Sequence, residues 1–157
     1  FDFGPSFLLR DVLETCDSYS VAVDVLARTP LSASVFFTVC GAGPGEACVI
    51  ERTRRAAAIR PINGRALVQA NHHFAAEFIP NNEAIRKVPP EEEVFSIAGS
   101  TKRVNILQVG LDALPTNCSL QDAAAPLGIP TVLNSQTCQK MVFCPSTGEV
   151  NVWRFID

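Results

Sequence analysis

Pro30 divides the first sixty residues into two hydrophobic periods, and that switch restricts the chain to few folds. Before it, Gly4-Pro5 opens a stretch in which Leu9, Val12, Leu13 and Cys16 recur at the spacing of one helix face. Asp17-Ser18 supplies a break and an N-cap, and Ala22, Val25 and Leu26 give a second helix its apolar side. That helix ends near Thr29, because a residue before proline avoids helical geometry. After Pro30 the run Ala33 to Cys40 is β-branched and aromatic, which predicts a strand. Gly41 to Gly45 predicts a turn and Glu46 to Arg52 a second strand. Ala56 to Arg60 and Arg65 to Ala70 flank Asn63-Gly64, a two-residue hairpin signal. Two helices and four successive antiparallel strands are expected.

From Asn71 to Pro90 no period is visible, and Pro80-Asn81-Asn82 and Pro89-Pro90 mark an irregular excursion. A loop this long invites a functional reading. The acidic run Glu91-Glu92-Glu93 reads as a solvated face. Ser100 is expected to cap a helix lined by Val104, Leu107, Leu111 and Leu114, and Ser119-x-x-Asp122 to start a shorter one. Gln136 to Cys144 and Glu149 to Ile156, around Pro145-Ser146-Thr147-Gly148, predict a closing hairpin. Strands bracketed by helices indicate an α+β fold, with helices layered on antiparallel sheet. No linker divides the chain, so residues 1–157 are expected to form a single domain.

Composition excludes several functions. The net charge of −3 argues against a broad nucleic-acid surface. The basic run Arg52, Arg54, Arg55, Arg60 and Arg65 reads as a solvated strand edge. No apolar run reaches the roughly 18 residues of a membrane span. Gly41 to Gly45 lacks the Lys-Ser/Thr ending and the following helix of a phosphate-binding loop. The six cysteines form no CxxC pair and match no zinc spacing. Cys40, Cys48, Cys138 and Cys144 fall in apolar strand-like runs, where a thiol behaves as a small buried hydrophobe. This favours reduced thiols and a non-oxidising, cytoplasmic compartment. Cys118 alone lies near a helix start, one of the settings that activate a thiol.

Chemistry concentrates in Ala66-Leu67-Val68-Gln69-Ala70-Asn71-His72-His73-Phe74, where a predicted strand runs into a polar end. The Asn71 amide NH2 can donate toward an oxyanion, and His72 and His73 can act as base or ligand. Neighbouring strand residues point to opposite faces, so the two histidines do not readily share a metal.

An ordered series of segments then carries a resemblance. Phe7-Leu8-Leu9-Arg10, Val12-Leu13-Glu14 and Thr29-Pro30-Leu31-Ser32-Ala33 lead into Val35-Phe36-Phe37 and Cys48-Val49-Ile50-Glu51-Arg52. Gln69-Ala70-Asn71-His72-His73-Phe74, Ser100-Thr101-Lys102-Arg103 and the Thr137 to Glu149 hairpin follow. The series resembles the later part of the N-terminal-nucleophile (Ntn) superfamily that includes acid ceramidase, N-acylethanolamine acid amidase and isopenicillin-N acyltransferase. Ala70 stands where that pattern usually has threonine.

The resemblance implies a four-layer αββα sandwich with mostly antiparallel sheets, this chain being the C-terminal portion of the catalytic (β) subunit. It implies a precursor that cleaves itself before a cysteine, whose thiol forms a thioester acyl-enzyme while its α-amino group serves as base. Asn71 would help form the oxyanion hole. Arg103 would support the site or meet a substrate carboxylate, and His72 would line the substrate pocket. No metal or cofactor is implied. The partners would be the remaining N-terminal segment or α/β chain of the same precursor and a small acyl-amide or acyl-CoA-like substrate. Phe1 is not a nucleophile, so the nucleophile lies outside this chain, which would be inactive alone. The alternatives are a non-catalytic α+β binding or scaffold domain, and an unrelated cysteine hydrolase using Cys118 or another internal thiol.

Overall fold

The computed structural model describes residues 2–82 and 96–155, which fall into two compact units, Phe1–Asn63 and Gly64–Asp157. The first unit sets helices α1 (Pro5–Thr15) and α2 (Tyr19–Arg28) beside a three-stranded sheet of β1 (Val35–Cys40), β2 (Ala47–Arg52) and β3 (Ala57–Pro61). The order is β1-β2-β3 and both pairings are antiparallel, with Phe37 opposite Ile50 and Ile50 opposite Ile59. Pro5 sits in the first turn of α1, where its missing N–H costs no hydrogen bond.

The core is Leu8, Val12, Leu26, Leu31, Phe37, Cys48 and Ile50, with Cys16, Ala22 and Val25 packed at its edge. Burying each large side chain is worth about 1.5–3 kcal/mol. The expected α1 face is corrected: Leu8 and Val12 are buried, whereas Leu9 is 42% and Leu13 77% exposed. Two apolar stripes overlap on this helix, sharing Val12 and Cys16 and offset by about 100° at their first residue. Only the presence of Leu26 and the sheet on one side selects between them. β2 is buried on both faces, Cys48 and Ile50 on one and Val49 and Glu51 on the other. This is why its apolar residues run continuously instead of alternating.

The basic run is a solvated edge only in part: Arg54, Arg55 and Arg65 are exposed, whereas Arg52 and Arg60 are not. Arg52 is buried and donates to three backbone carbonyls: Leu26, Thr29 (2.7 Å) and Ala56 (3.2 Å). Arg54 and Arg55 both reach Asp2, whose carboxyl is held below its usual range chiefly by the Arg54 hydrogen bond. Arg60 pairs with the buried Glu51 at 2.7 Å. In the β1–β2 connection Glu46 Oε2 accepts from the Gly43 N–H at 2.8 Å. A Cβ on Gly41 would lie 2.3 Å from that oxygen, so the glycine makes room for a hairpin connection closed by its own glutamate.

The predicted fourth strand is also corrected, since residues 65–70 belong to no strand. A type I′ turn needs positive φ at both central residues. Gly64 has φ +112°, but Thr131 is the one non-glycine at positive φ among the described residues, so Asn63 does not make that turn.

The second unit begins irregularly, forms a 3-10 helix at Ala76–Asn82, and continues with α3 (Ile97–Asp112), α4 (Leu120–Ala124) and a 3-10 turn at Ala125–Gly128. Pro89-Pro90 and the acidic run lie outside the described residues. α3 starts one turn before its expected position: Ser96 is the cap, its Oγ accepting from the Gly99 N–H at 3.0 Å, and Ser100 lies inside the helix. The Ser119–Asp122 capping box forms as expected, and its hydrogen bonds hold the Asp122 carboxyl below its usual range. Gly110 of α3 meets Pro126, to which an added Cβ would approach within 3.0 Å.

β4 (Gln139–Cys144) and β5 (Glu149–Arg154) close the chain as an antiparallel hairpin turning at Gly148, φ +73°. Of the four cysteines expected to be buried only Cys48 is; Cys40 and Cys138 are exposed and Cys144 half-buried. In a strand that faces solvent on one side, apolar neighbours do not guarantee burial. Among the described residues no helix is long and apolar enough to cross a membrane.

Candidate active site

The polar segment after residue 68 meets α3 within the second unit. Ser100 and Arg103 are three residues apart, hence on one helix face, and with Gly99 they are the buried residues of α3. A helix whose most buried positions are polar requires partners for them. Arg103 Nη2 donates to Asn71 Oδ1 at 2.7 Å. Ser100 Oγ accepts from the Asn71 backbone N–H at 2.7 Å and lies 2.7 Å from His72 Nδ1. Gln69 Nε2 donates to the Ala70 and His72 carbonyls at 2.9 and 2.8 Å, fixing the bend. His72 also packs on Phe74, ring centroids 4.4 Å apart.

His73 is turned elsewhere. Its backbone exchanges two hydrogen bonds with Asn82, 2.8 and 3.0 Å, and its ring meets Phe78 edge-on. The two histidines therefore have different neighbours, although they lie in no strand and strand alternation is not the reason.

The electrostatics orient Asn71. Burial pushes the Arg103 pKa below its ordinary value, but a guanidinium remains cationic at neutral pH. A charged donor on Oδ1 settles which end of the amide is which. The oxygen faces Arg103, and the NH2 of the exposed Asn71 makes no hydrogen bond among the described residues. The arrangement thus presents a pre-oriented, neutral N–H donor backed by a positive charge, which suits an oxygen that gains negative charge.

Of the residues singled out from sequence, Asn71, His72 and Arg103 come together around α3. Cys118, half-buried just before the Ser119 cap, takes no part in these contacts. Gln69, Asn82 and Ser100 were missed as site-shaping residues. The three-residue spacing of Ser100 and Arg103 was the available signal for Ser100. Nothing local to the sequence marks Asn82.

Comparison with known proteins adds the family. The model of the acyl-coenzyme A:6-aminopenicillanic acid acyl-transferase family matches residues 3–125, a stretch that includes Asn71, Ser100 and Arg103. The chain belongs to that family, within the Ntn hydrolases, a group of enzymes acting on amide bonds. Over 73 residues it is 41% identical to the N-acylethanolamine-hydrolyzing acid amidase of Caenorhabditis elegans, covering 46% of this chain and 19% of that protein. The mouse protein of the same description is 41% identical over 63 residues, 38% of this chain and 17% of its own length. The acid ceramidase of Heterocephalus glaber is 45% identical over 49 residues, 31% of this chain and 12% of its own. Each match therefore spans less than a fifth of the relative.

Proposed function

We propose that this chain is the later part of a cysteine Ntn acyltransferase or amidohydrolase that cleaves or forms non-peptide amide bonds through a thioester. The nucleophile cysteine would come from a segment outside these 157 residues. Its thiol proton passes to its own α-amino group, whose unperturbed pKa is about 8, and the sulfur attacks the acyl carbonyl. The Asn71 NH2 donates to the resulting oxyanion while Arg103 holds the amide from behind. Collapse expels the amine, which takes up the proton, and water or an acceptor amine then resolves the thioester. The N-acylethanolamine in the relatives' names supports a small-molecule substrate with an acyl–nitrogen bond. His72, bound through Nδ1 to Ser100, is a wall of this site. A four-layer αββα sandwich is the architecture we propose for the complete protein. The burial of β2 on both faces supports a layered fold.

The observation that carries the reading is the Arg103–Asn71 contact, which leaves an oriented amide donor pointing away from its support. Asn71→Ala in the full-length protein should lower kcat by about 10²–10³ with little loss of stability, the usual effect of deleting one oxyanion donor. Thioester formation at the wild-type rate would remove Asn71 from the mechanism.

A further inference from the structure

Ser100 is the most deeply buried residue of the cluster, 0% exposed, and it lies inside α3. A serine within a helix usually turns its hydroxyl back to the carbonyl four residues earlier or out to water. Ser100 does neither. Its Oγ bridges to two successive residues 29 and 28 positions away in sequence, the Asn71 backbone and the His72 ring, each at 2.7 Å. A hydroxyl has one proton and two lone pairs. Asn71 N–H occupies one lone pair, and His72 Nδ1 takes up a second position on the hydroxyl.

α3 thus holds Asn71 at two points. Arg103 holds the side-chain oxygen, and one turn earlier Ser100 holds the backbone nitrogen. A single bond to Oδ1 leaves the residue free to pivot about it; the second removes that freedom. A donor aimed at an oxyanion must be held within about 0.5 Å of its productive position. We propose that Ser100 is the positioning residue for Asn71, its hydroxyl fixing the backbone from which the amide is presented. This rests on the reading of Asn71 as the oxyanion donor.

The test uses the full-length protein. Ser100→Ala, helix-compatible and without the hydroxyl, should lower kcat about 10- to 100-fold, the scale of a misplacement near 1 Å, and leave KM unmoved. In an Asn71→Ala background the same substitution should change kcat no further, because the residue it positions is gone. Unchanged kcat in the single variant, or equal losses in both backgrounds, would overturn the role of Ser100 alone. Wild-type kcat in Asn71→Ala would overturn the oxyanion reading and the positioning role with it. If Ser100→Ala does not fold, the unsubstituted protein decides. Its Asn71 amide should resist hydrogen exchange. A freely exchanging Asn71 amide would refute the proposal.

Discussion

Arg52→Met tests whether the buried guanidinium is a structural clamp. The substitution keeps most of the side-chain length and packing but deletes every donor. Arg52 is 1% exposed and serves the carbonyls of Leu26, Thr29 and Ala56. Leu26 and Thr29 lie at the end of α2, where carbonyls have no partner within the helix and the macrodipole is negative. Each buried carbonyl left unsatisfied costs about 1–3 kcal/mol. Leu26 is buried and Thr29 half-buried, whereas the exposed Ala56 carbonyl keeps the Thr53 N–H, so two carbonyls lose their donor and a loss of about 2–4 kcal/mol is expected, a large share of a typical 5–15 kcal/mol total. Arg52→Lys keeps the charge but not the planar fork, and should fall between. Arg54→Met is the control: its partner Asp2 is at the surface, and exposed ion pairs contribute at most about 1 kcal/mol. Urea unfolding of the full-length protein, followed by circular dichroism, measures all three. A loss below about 1 kcal/mol for Arg52→Met, equal to the control, would refute the accounting of buried carbonyls.

Two further outcomes follow from local geometry. Gly110→Ala should destabilise by about 1 kcal/mol, because forcing a methyl to 3.0 Å from the rigid Pro126 ring costs more than the helix propensity gained; a raised urea midpoint would contradict this. The Cys144 pKa is lowered, chiefly by the Ser146 hydroxyl 3.3 Å away and then by Thr147, so its thiolate forms at lower pH than an ordinary thiol. Its iodoacetamide alkylation rate should rise with a midpoint below that of free cysteine, and Ser146→Ala should move the midpoint back up; an unshifted curve in both proteins would refute it.

Local chemistry made much of the fold legible. Proline after α2, the β-branched run of β1 and the Ser119–Asp122 pair each act over a few residues, and each element formed close to its expected position. Errors arose where two local solutions were equivalent. Leu8 and Leu9 both begin credible apolar stripes, and Ser96 and Ser100 both precede an apolar run. Asn63-Gly64 has the composition of a hairpin turn, but Asn63 does not take the positive φ that turn needs, and residues 65–70 form no strand.

The site divides in the same way. The sequence alone determined which chemistry was available: an asparagine amide, a neighbouring histidine and an arginine opening a later helix, in an order that resembles one superfamily. It could not say that Arg103 faces the Asn71 oxygen, that Ser100 holds its backbone, or that Asn82 holds His73 instead. Those contacts join residues 9 to 32 positions apart, and their partners are chosen by packing rather than by neighbouring side chains. Only the tertiary structure decided which polar groups were buried together. Burial then fixed their partners, because an unpaired polar group in the interior costs more than almost any local preference can offset.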